Sequence, residues 1–177
     1  MEDPFSTQTG LGVLPPTEIS ETIDTWRKVY DPSYAVFAPH ITLAYPPFVS
    51  QERWAAFSLA LADCLAGFAP FKVVLAQVDR FEASPNILWL KPEDGGALTR
   101  IRRVLEKQFP AECPRLPFRF QPHLTIGQFD DLGALEEARA KVTLELKPLQ
   151  FEVDRVHYVG LSPEGGWRSR DYLRLGR

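Results

Sequence analysis

Several things are scarce in this chain, and each scarcity excludes something. Cys64 and Cys113 are its only cysteines, and they stand alone. Neither belongs to a CxxC pair, so a zinc site has no support in the sequence. Cys64 falls on the apolar side of a predicted helix and reads as a small buried hydrophobe. No apolar run reaches the roughly 18 residues that a membrane helix needs. The start, Met1-Glu2-Asp3-Pro4, is acidic where a signal peptide would be basic, and no apolar segment follows it. The expectation is a soluble intracellular protein of the cytoplasm, with the nucleus as the alternative. Positive charge is not in excess either: the net charge is −3. A protein that wraps long duplex nucleic acid would normally be basic. Any contact with nucleic acid is therefore expected at a nucleotide or strand end, in a locally basic cleft. Histidine is the last scarcity, with three in 177 residues.

The length suits one domain with a proper core and is short for two. Apolar residues make up 45% of the chain, which argues against disorder. After a loose start over residues 1–8, Thr9 to Leu14 reads as a strand stopped by Pro15-Pro16. Thr17 is placed to cap a helix to about Tyr30, with Ile19, Ile23, Trp26 and Tyr30 on one stripe. Val36 to Tyr45 reads as a strand. Ser50 caps a helix that buries Trp54, Phe57, Leu61, Cys64, Leu65 and Phe68. Phe71 to Phe81 is a strand, followed by a turn at Ser84-Pro85-Asn86. The pattern then repeats: a strand at Ile87 to Lys91, and a helix opened by Asp94-Gly95-Gly96 with Leu98, Ile101, Leu105 and Phe109 on one side. A proline-rich loop, a strand from Phe118 to Phe129 and a helix from Leu132 to Val142 follow. Phe151 to Leu161 and Trp167 to Leu175 form a closing hairpin around Gly165-Gly166. Strand, helix, strand, helix, strand thus occurs twice. Two α+β lobes facing each other across a cleft would set the second strand of each repeat side by side.

Those two strands carry the same word. The first reads Pro39-His40-Ile41-Thr42-Leu43 and the second Pro122-His123-Leu124-Thr125-Ile126. Side chains alternate faces along a strand, so His40 and Thr42 share one face and Ile41 and Leu43 the other. His123 and Thr125 likewise oppose Leu124 and Ile126, and the polar row extends upstream through Gln121 and Arg119. An imidazole with its ordinary pKa of about 6.5 is poised to work near neutrality. One ring can take a proton from an attacking water or hydroxyl while the other gives one to the leaving oxygen, each transfer contributing roughly 10² to 10⁴ in rate. Threonine hydroxyls between them can bind non-bridging oxygens, which suits in-line displacement at phosphorus without a metal. Either histidine alone would read as a satisfied strand-end residue. A zinc site is the other alternative, but no third ligand stands at suitable spacing. His157 lacks a threonine two residues on and reads as structural. Tyr45, Phe81 and Trp89 could stack a base, although core packing is the default for Trp89. Arg168, Arg170, Arg174 and Arg177 make the C-terminal end basic, most simply as a solvated face, with RNA-backbone contact as the second reading.

Two such H-x-T motifs, in matching frames of a duplicated α+β pattern, resemble the 2H phosphoesterase superfamily. The likeness is closest to its group of 2′-5′ RNA ligases and RNA 2′,3′-cyclic phosphodiesterases. Phe81 through Leu90, with Pro85, Leu88 and Trp89, is similar to the family's crossing between lobes, and the hairpin with Gly165-Gly166 also fits. The resemblance implies an α+β bilobal fold: two mainly antiparallel sheets facing across a cleft, helices on their outer faces, in one domain spanning 1–177 with the chain crossing between lobes. It implies hydrolysis of a nucleoside or RNA-terminal 2′,3′-cyclic phosphate to a 2′-phosphate, with reversible 2′-5′ joining that needs no ATP. His40 matches the general acid, His123 the group that activates water, and Thr42 and Thr125 the phosphate-binding positions. No cofactor, metal, membrane or obligate protein partner is implied, and a monomer is expected. Many relatives carry an arginine five residues after the second histidine. Here that place is Gln128, which can hydrogen-bond a phosphate but not neutralise it, leaving room for a small nucleotide substrate. Tyr45 holds the equivalent place in the first half, and Arg119 could supply the missing cation because it shares strand parity with His123. Two alternatives stay open: an idle nucleotide- or RNA-binding module of the same fold, and a phosphodiesterase acting on a cyclic-phosphate nucleotide metabolite.

Overall fold

Alternation of aliphatic and polar residues builds the centre of the molecule. Ile41 and Leu43 are fully buried while Thr42 between them is half-buried, and Leu124, Thr125 and Ile126 repeat the pattern. The computed structural model describes residues 7–176. The expected loose start and Arg177 thus lie wholly or largely outside the described residues. In chain order the elements are β1 (Thr9–Val13), α1 (Thr17–Tyr30), β2 (Ile41–Ala44), α2 (Gln51–Leu65), β3 (Phe71–Phe81) and β4 (Asn86–Glu93). They continue with α3 (Ala97–Gln108), β5 (Leu124–Phe129), α4 (Leu132–Glu145), β6 (Leu149–Val153), β7 (Arg155–Leu161) and β8 (Trp167–Arg174). The doubled strand-helix-strand-helix-strand order is therefore present.

The fold is α+β with every strand pair antiparallel. The two expected sheets are the four-stranded halves of one curled sheet, in the order β6-β3-β4-β5-β2-β1-β7-β8. The halves meet at β2 and β5 through a single register pair, Ile41 with Leu124. The helices cross over. α1 precedes β2 but packs on β5, and α3 precedes β5 but packs on β2. α2 packs on β8 in the β2 half, and α4 on β3, β4 and β5. Each half is thus covered by helices from both repeats, and the apolar stripes of all four feed one core that runs from Ile23 through Leu61 and Leu98 to Val142. No helix among the described residues is long and apolar enough to cross a membrane.

Both motif strands are shorter than their sequence patterns suggest. Before His40 the chain turns, with Val36 and Phe37 donating to Ser33 O. Phe37 O is taken by Arg27 Nη2 at 2.7 Å, so it is not free for a ladder. The stretch from Phe118 to Pro122 forms no strand; Pro117 stands just before it, and Pro122 removes an amide donor a ladder there would use. The Phe151–Leu161 strand is two strands, since the chain changes from one half of the sheet to the other at Asp154: β6 pairs with β3, and β7 with β1 and β8. Capping also differs. Thr17 is the first residue of α1 rather than its cap, Pro16 before it has no side-chain acceptor, and Ser50 before α2 makes no side-chain cap, whereas Asp94 accepts from Leu98 N at 2.6 Å and Asp131 from Ala134 N at 2.7 Å.

Gly127 shows how tightly α1 sits on β5. A Cβ there would lie 2.8 Å from Tyr30 Cβ and 2.8 Å from Phe129 Cε2. Gly127→Ala should force helix and strand apart at a cost of roughly 1–3 kcal/mol, lowering Tm by about 2–4 °C per kcal/mol in a domain of this size. Thermal unfolding followed by circular dichroism would show it, and an unchanged Tm would mean that the interface yields freely.

Candidate active site

The Ile41–Leu124 bridge sets the geometry of everything polar around it. In an antiparallel register about that pair, His40 stands opposite Thr125 and Thr42 opposite His123. Directly opposite residues share a face, with Cβ atoms about 4.5–5.5 Å apart. The four motif side chains therefore gather on the face turned away from the buried Ile41, Leu43, Leu124 and Ile126. A register shift accompanies each motif strand, on its pairing with β1 and with β4.

The two rings are held by the same device. His40 Nδ1 lies 2.8 Å from Ala38 O, and His123 Nδ1 lies 2.9 Å from Gln121 O, in each case the carbonyl two residues upstream. A carbonyl can only accept, so each Nδ1 must carry a hydrogen. In the neutral ring Nε2 is then bare and free to take a proton. Aromatic rings back both imidazoles. Phe37 stacks on His40 at 5.5 Å and on Trp167 at 5.3 Å. On the other side Phe81 stacks on Trp89 at 4.7 Å and meets His123 edge-on at 5.1 Å. Burial pushes the pKa of both histidines below 6.5, only partly opposed by the backbone hydrogen bonds. At His40 the Arg27 and His123 charges push the same way, and Asp31 pushes back.

The two sides differ at one pair of positions. Thr125 is flanked on β4 by Trp89, whereas Thr42 is flanked on β1 by Gly12. The indole fills the His123 side. The missing side chain leaves a cavity on the His40 side, bordered by Gly10, Gly12, Phe37, Thr42, Trp167 and Arg168. Trp89 Nε1 is buried with no acceptor among the described residues.

Of the sequence candidates, the structure brings together His40, Thr42, His123, Thr125 and Phe81. Tyr45 is exposed at the end of β2 and does not border the cavity. Gln128 turns to α1, its Nε2 donating toward Asp31 Oδ1 at 3.5 Å. Arg119 is corrected: with no strand over Phe118–Pro122 the parity argument lapses, and its side chain lines a groove against α3 instead. His157 is bound to Ser169 Oγ at 2.8 Å. Among the described residues no three His, Cys, Asp or Glu side chains gather as metal ligands.

Sequence reasoning missed Phe37 and Trp167, and it missed two buried arginines. Arg27, 2% exposed, binds Asp31 at 2.9 Å and Phe37 O. Arg102, also 2% exposed, binds Glu106 at 2.8 Å, Leu43 O at 2.9 Å and Pro114 O at 2.6 Å. A charged residue on the apolar stripe of each helix was the available signal.

A curled antiparallel sheet with two clamped His-Thr pairs at its centre defines a two-histidine phosphoesterase architecture. The sequence model of the 2′-5′ RNA ligase superfamily matches residues 15–162, and the chain belongs to that family. A Geobacillus kaustophilus protein named "Putative phosphoesterase" is 33% identical over 169 residues, 94% of this chain and 95% of that one. A Bacillus cereus protein of the same name is 30% identical over 170 residues, 95% and 96% of the two chains. The crystal structure of E. coli LigT complexed with 3′-AMP superposes with a TM-score of 0.68 at 23% identity, over 97% of this chain and 99% of LigT. A Thermus thermophilus protein gives 0.64 at 22%, over 96% and 98%. At such identities these two structures establish the shared fold.

The lowered histidine pKa values carry a sign for stability. Below about 6.5 the unfolded chain binds protons that the folded rings resist, so stability is greatest above that pH and falls as pH drops through it. Calorimetry should show Tm declining below pH 6.5, with a shallower decline in His40→Gln/His123→Gln. Parallel profiles for the two proteins would contradict the shifts.

Proposed function

We propose that the chain is a metal-independent phosphodiesterase that opens a nucleoside or RNA-terminal 2′,3′-cyclic phosphate to the 2′-phosphate. The observation that carries this reading is the paired clamp: two imidazoles, each with Nδ1–H fixed on a carbonyl and Nε2 free, set diagonally across one bridge with a threonine opposite each. Such a pair can deliver a base and an acid to opposite sides of one phosphorus. In the proposed step His123 Nε2 takes a proton from water as its oxygen attacks phosphorus. The bond from phosphorus to the ribose 3′ oxygen breaks, and that oxygen takes a proton from the imidazolium Nε2 of His40. Thr42 and Thr125 donate to the non-bridging oxygens, where negative charge grows.

The cavity beside Gly12 supports placing the ribose and base on the His40 side, next to Phe37 and Trp167. The leaving oxygen is then on the side of the proposed acid. That LigT was crystallised with 3′-AMP and with NADP⁺ fits a nucleotide as ligand. Attack by a ribose hydroxyl in place of water is the related joining reaction, and its reverse exchanges the roles of the two histidines.

His40→Ala and His123→Ala should each reduce hydrolysis of 2′,3′-cyclic nucleotides by at least about 10² to 10⁴ with the fold retained. EDTA should leave the wild-type rate unchanged, and the product should be the 2′-phosphate. Wild-type turnover by either variant, or a 3′-phosphate product, would overturn the scheme.

Because one ring must be neutral and the other charged, kcat/KM should be bell-shaped in pH. Its alkaline limb should lie below 6.5, following the free-enzyme pKa shifts. The kcat profile should move to higher pH, since the bound phosphate anion favours imidazolium. The limbs belong to the coupled pair rather than to either ring, and an alkaline limb of kcat/KM well above 7 would contradict the assignment.

A further inference from the structure

Charge is unevenly spread in this acidic chain. Residues 100–119, which cover most of α3 and the loop after it, hold six basic side chains against two acidic ones, whereas the whole chain has a net charge of −3. Both acids are engaged: Glu106 with Arg102, and Glu112 with Arg53 at 2.8 Å. Arg103, Arg115 and Arg119 are exposed and form no ion pair among the described residues. All three border one groove, together with buried Arg102 and the rings of Phe118 and Phe120. Phe118 is 62% exposed, and the Arg102 guanidinium lies 5.7 Å over the Phe120 ring. Like charges in one groove repel, and no described contact of the three exposed arginines relieves that repulsion. Arg102 alone does the structural work, tying the groove to the site through Leu43 O in the strand of Thr42. Phe120 stands three residues before His123, at most about 10 Å of chain.

We propose that this groove binds the sugar-phosphate backbone of a single-stranded RNA, the portion upstream of the 3′ end that enters the His40–His123 site. The proposal rests on the nucleotide reading of that site. Guanidinium groups pair with phosphate oxygens in a bidentate fork, and an exposed phenyl ring beside them offers a stacking surface to a base. Such contacts read no sequence. The positive charge absent at Gln128 is thus supplied from α3 and the loop, where it holds the strand rather than the scissile phosphate. An acidic peptide would satisfy the guanidinium groups but gains little from Phe118.

The test is fluorescence anisotropy of a short labelled RNA ending in a 3′-phosphate. Arg103→Ala/Arg115→Ala/Arg119→Ala should weaken binding at least about tenfold at low salt. Losing three phosphate contacts should also lower the slope of log Kd against log salt by about 2, at roughly 0.7 per contact. Phe118→Ala serves as an independent variant, expected to lose several-fold. A wild-type thermal midpoint shows that each variant is folded. Equal affinity in the triple variant would overturn the proposal, as would tighter binding of polyglutamate than of RNA. In turnover, the triple variant should lose about tenfold in the ratio of kcat/KM for cyclic-phosphate-ended RNA to that for a 2′,3′-cyclic mononucleotide. If the wild type turned over neither substrate, the proposed reaction would fail while the anisotropy still decided the groove.

Discussion

One backbone pairing holds the two halves of the sheet in register. Ile41 and Leu124 form the only strand-to-strand register pair between the halves among the described residues, and the motif side chains are grouped around it. A one-residue slip there would turn each His-Thr pair into the core and expose an aliphatic pair. A single bridge is a weak constraint by itself, so the crossed helices matter. α1 is tied by its chain ends to β1 and β2 but presses on β5, and α3 lies between β4 and β5 in the chain but presses on β2, so parting the halves would drag each helix off the strand it covers.

The buried arginines extend that logic to the irregular segments. Before each motif the chain leaves the sheet, and its carbonyls need partners that a ladder does not supply. Arg27 meets this need at Phe37 O and Arg102 at Pro114 O, and Arg102 also reaches Leu43 O within β2. Each guanidinium is neutralised within or at the end of its own helix, by Asp31 or Glu106. Removing one member of such a pair leaves a buried charge and typically costs about 3–5 kcal/mol. The loops that bear the histidine-binding carbonyls, Ala38 O and Gln121 O, are therefore fastened to helices rather than left to solvent.

Much of this was legible in the chain. Period-two and period-3.6 patterns place all four helices and the doubled order, and parity sorts His40, Thr42, His123 and Thr125 from their aliphatic neighbours. Parity fails where the strand does. Counting along Phe118–Pro122 gives Arg119 a face, but that segment, where Pro122 has no amide to donate, lies outside the sheet. The break at Asp154 was invisible because apolar alternation continues through Phe151, Val153 and Val156 whichever half they join. Phe37 and Trp167 meet only through tertiary folding, 130 positions apart in sequence, and no local pattern links them.

Duplication creates a difficulty that Gly12 and Trp89 resolve. A perfectly twofold cleft would accept one ligand in two opposed poses of equal energy, and each histidine would meet either end of it. Here one quadrant is plugged by an indole and its counterpart is hollow. The sheet keeps its near-symmetry in backbone and reactive groups but gains a direction. Among the described residues a bulky group finds room beside Gly12 and not beside Trp89, so two histidines held alike face unlike surroundings.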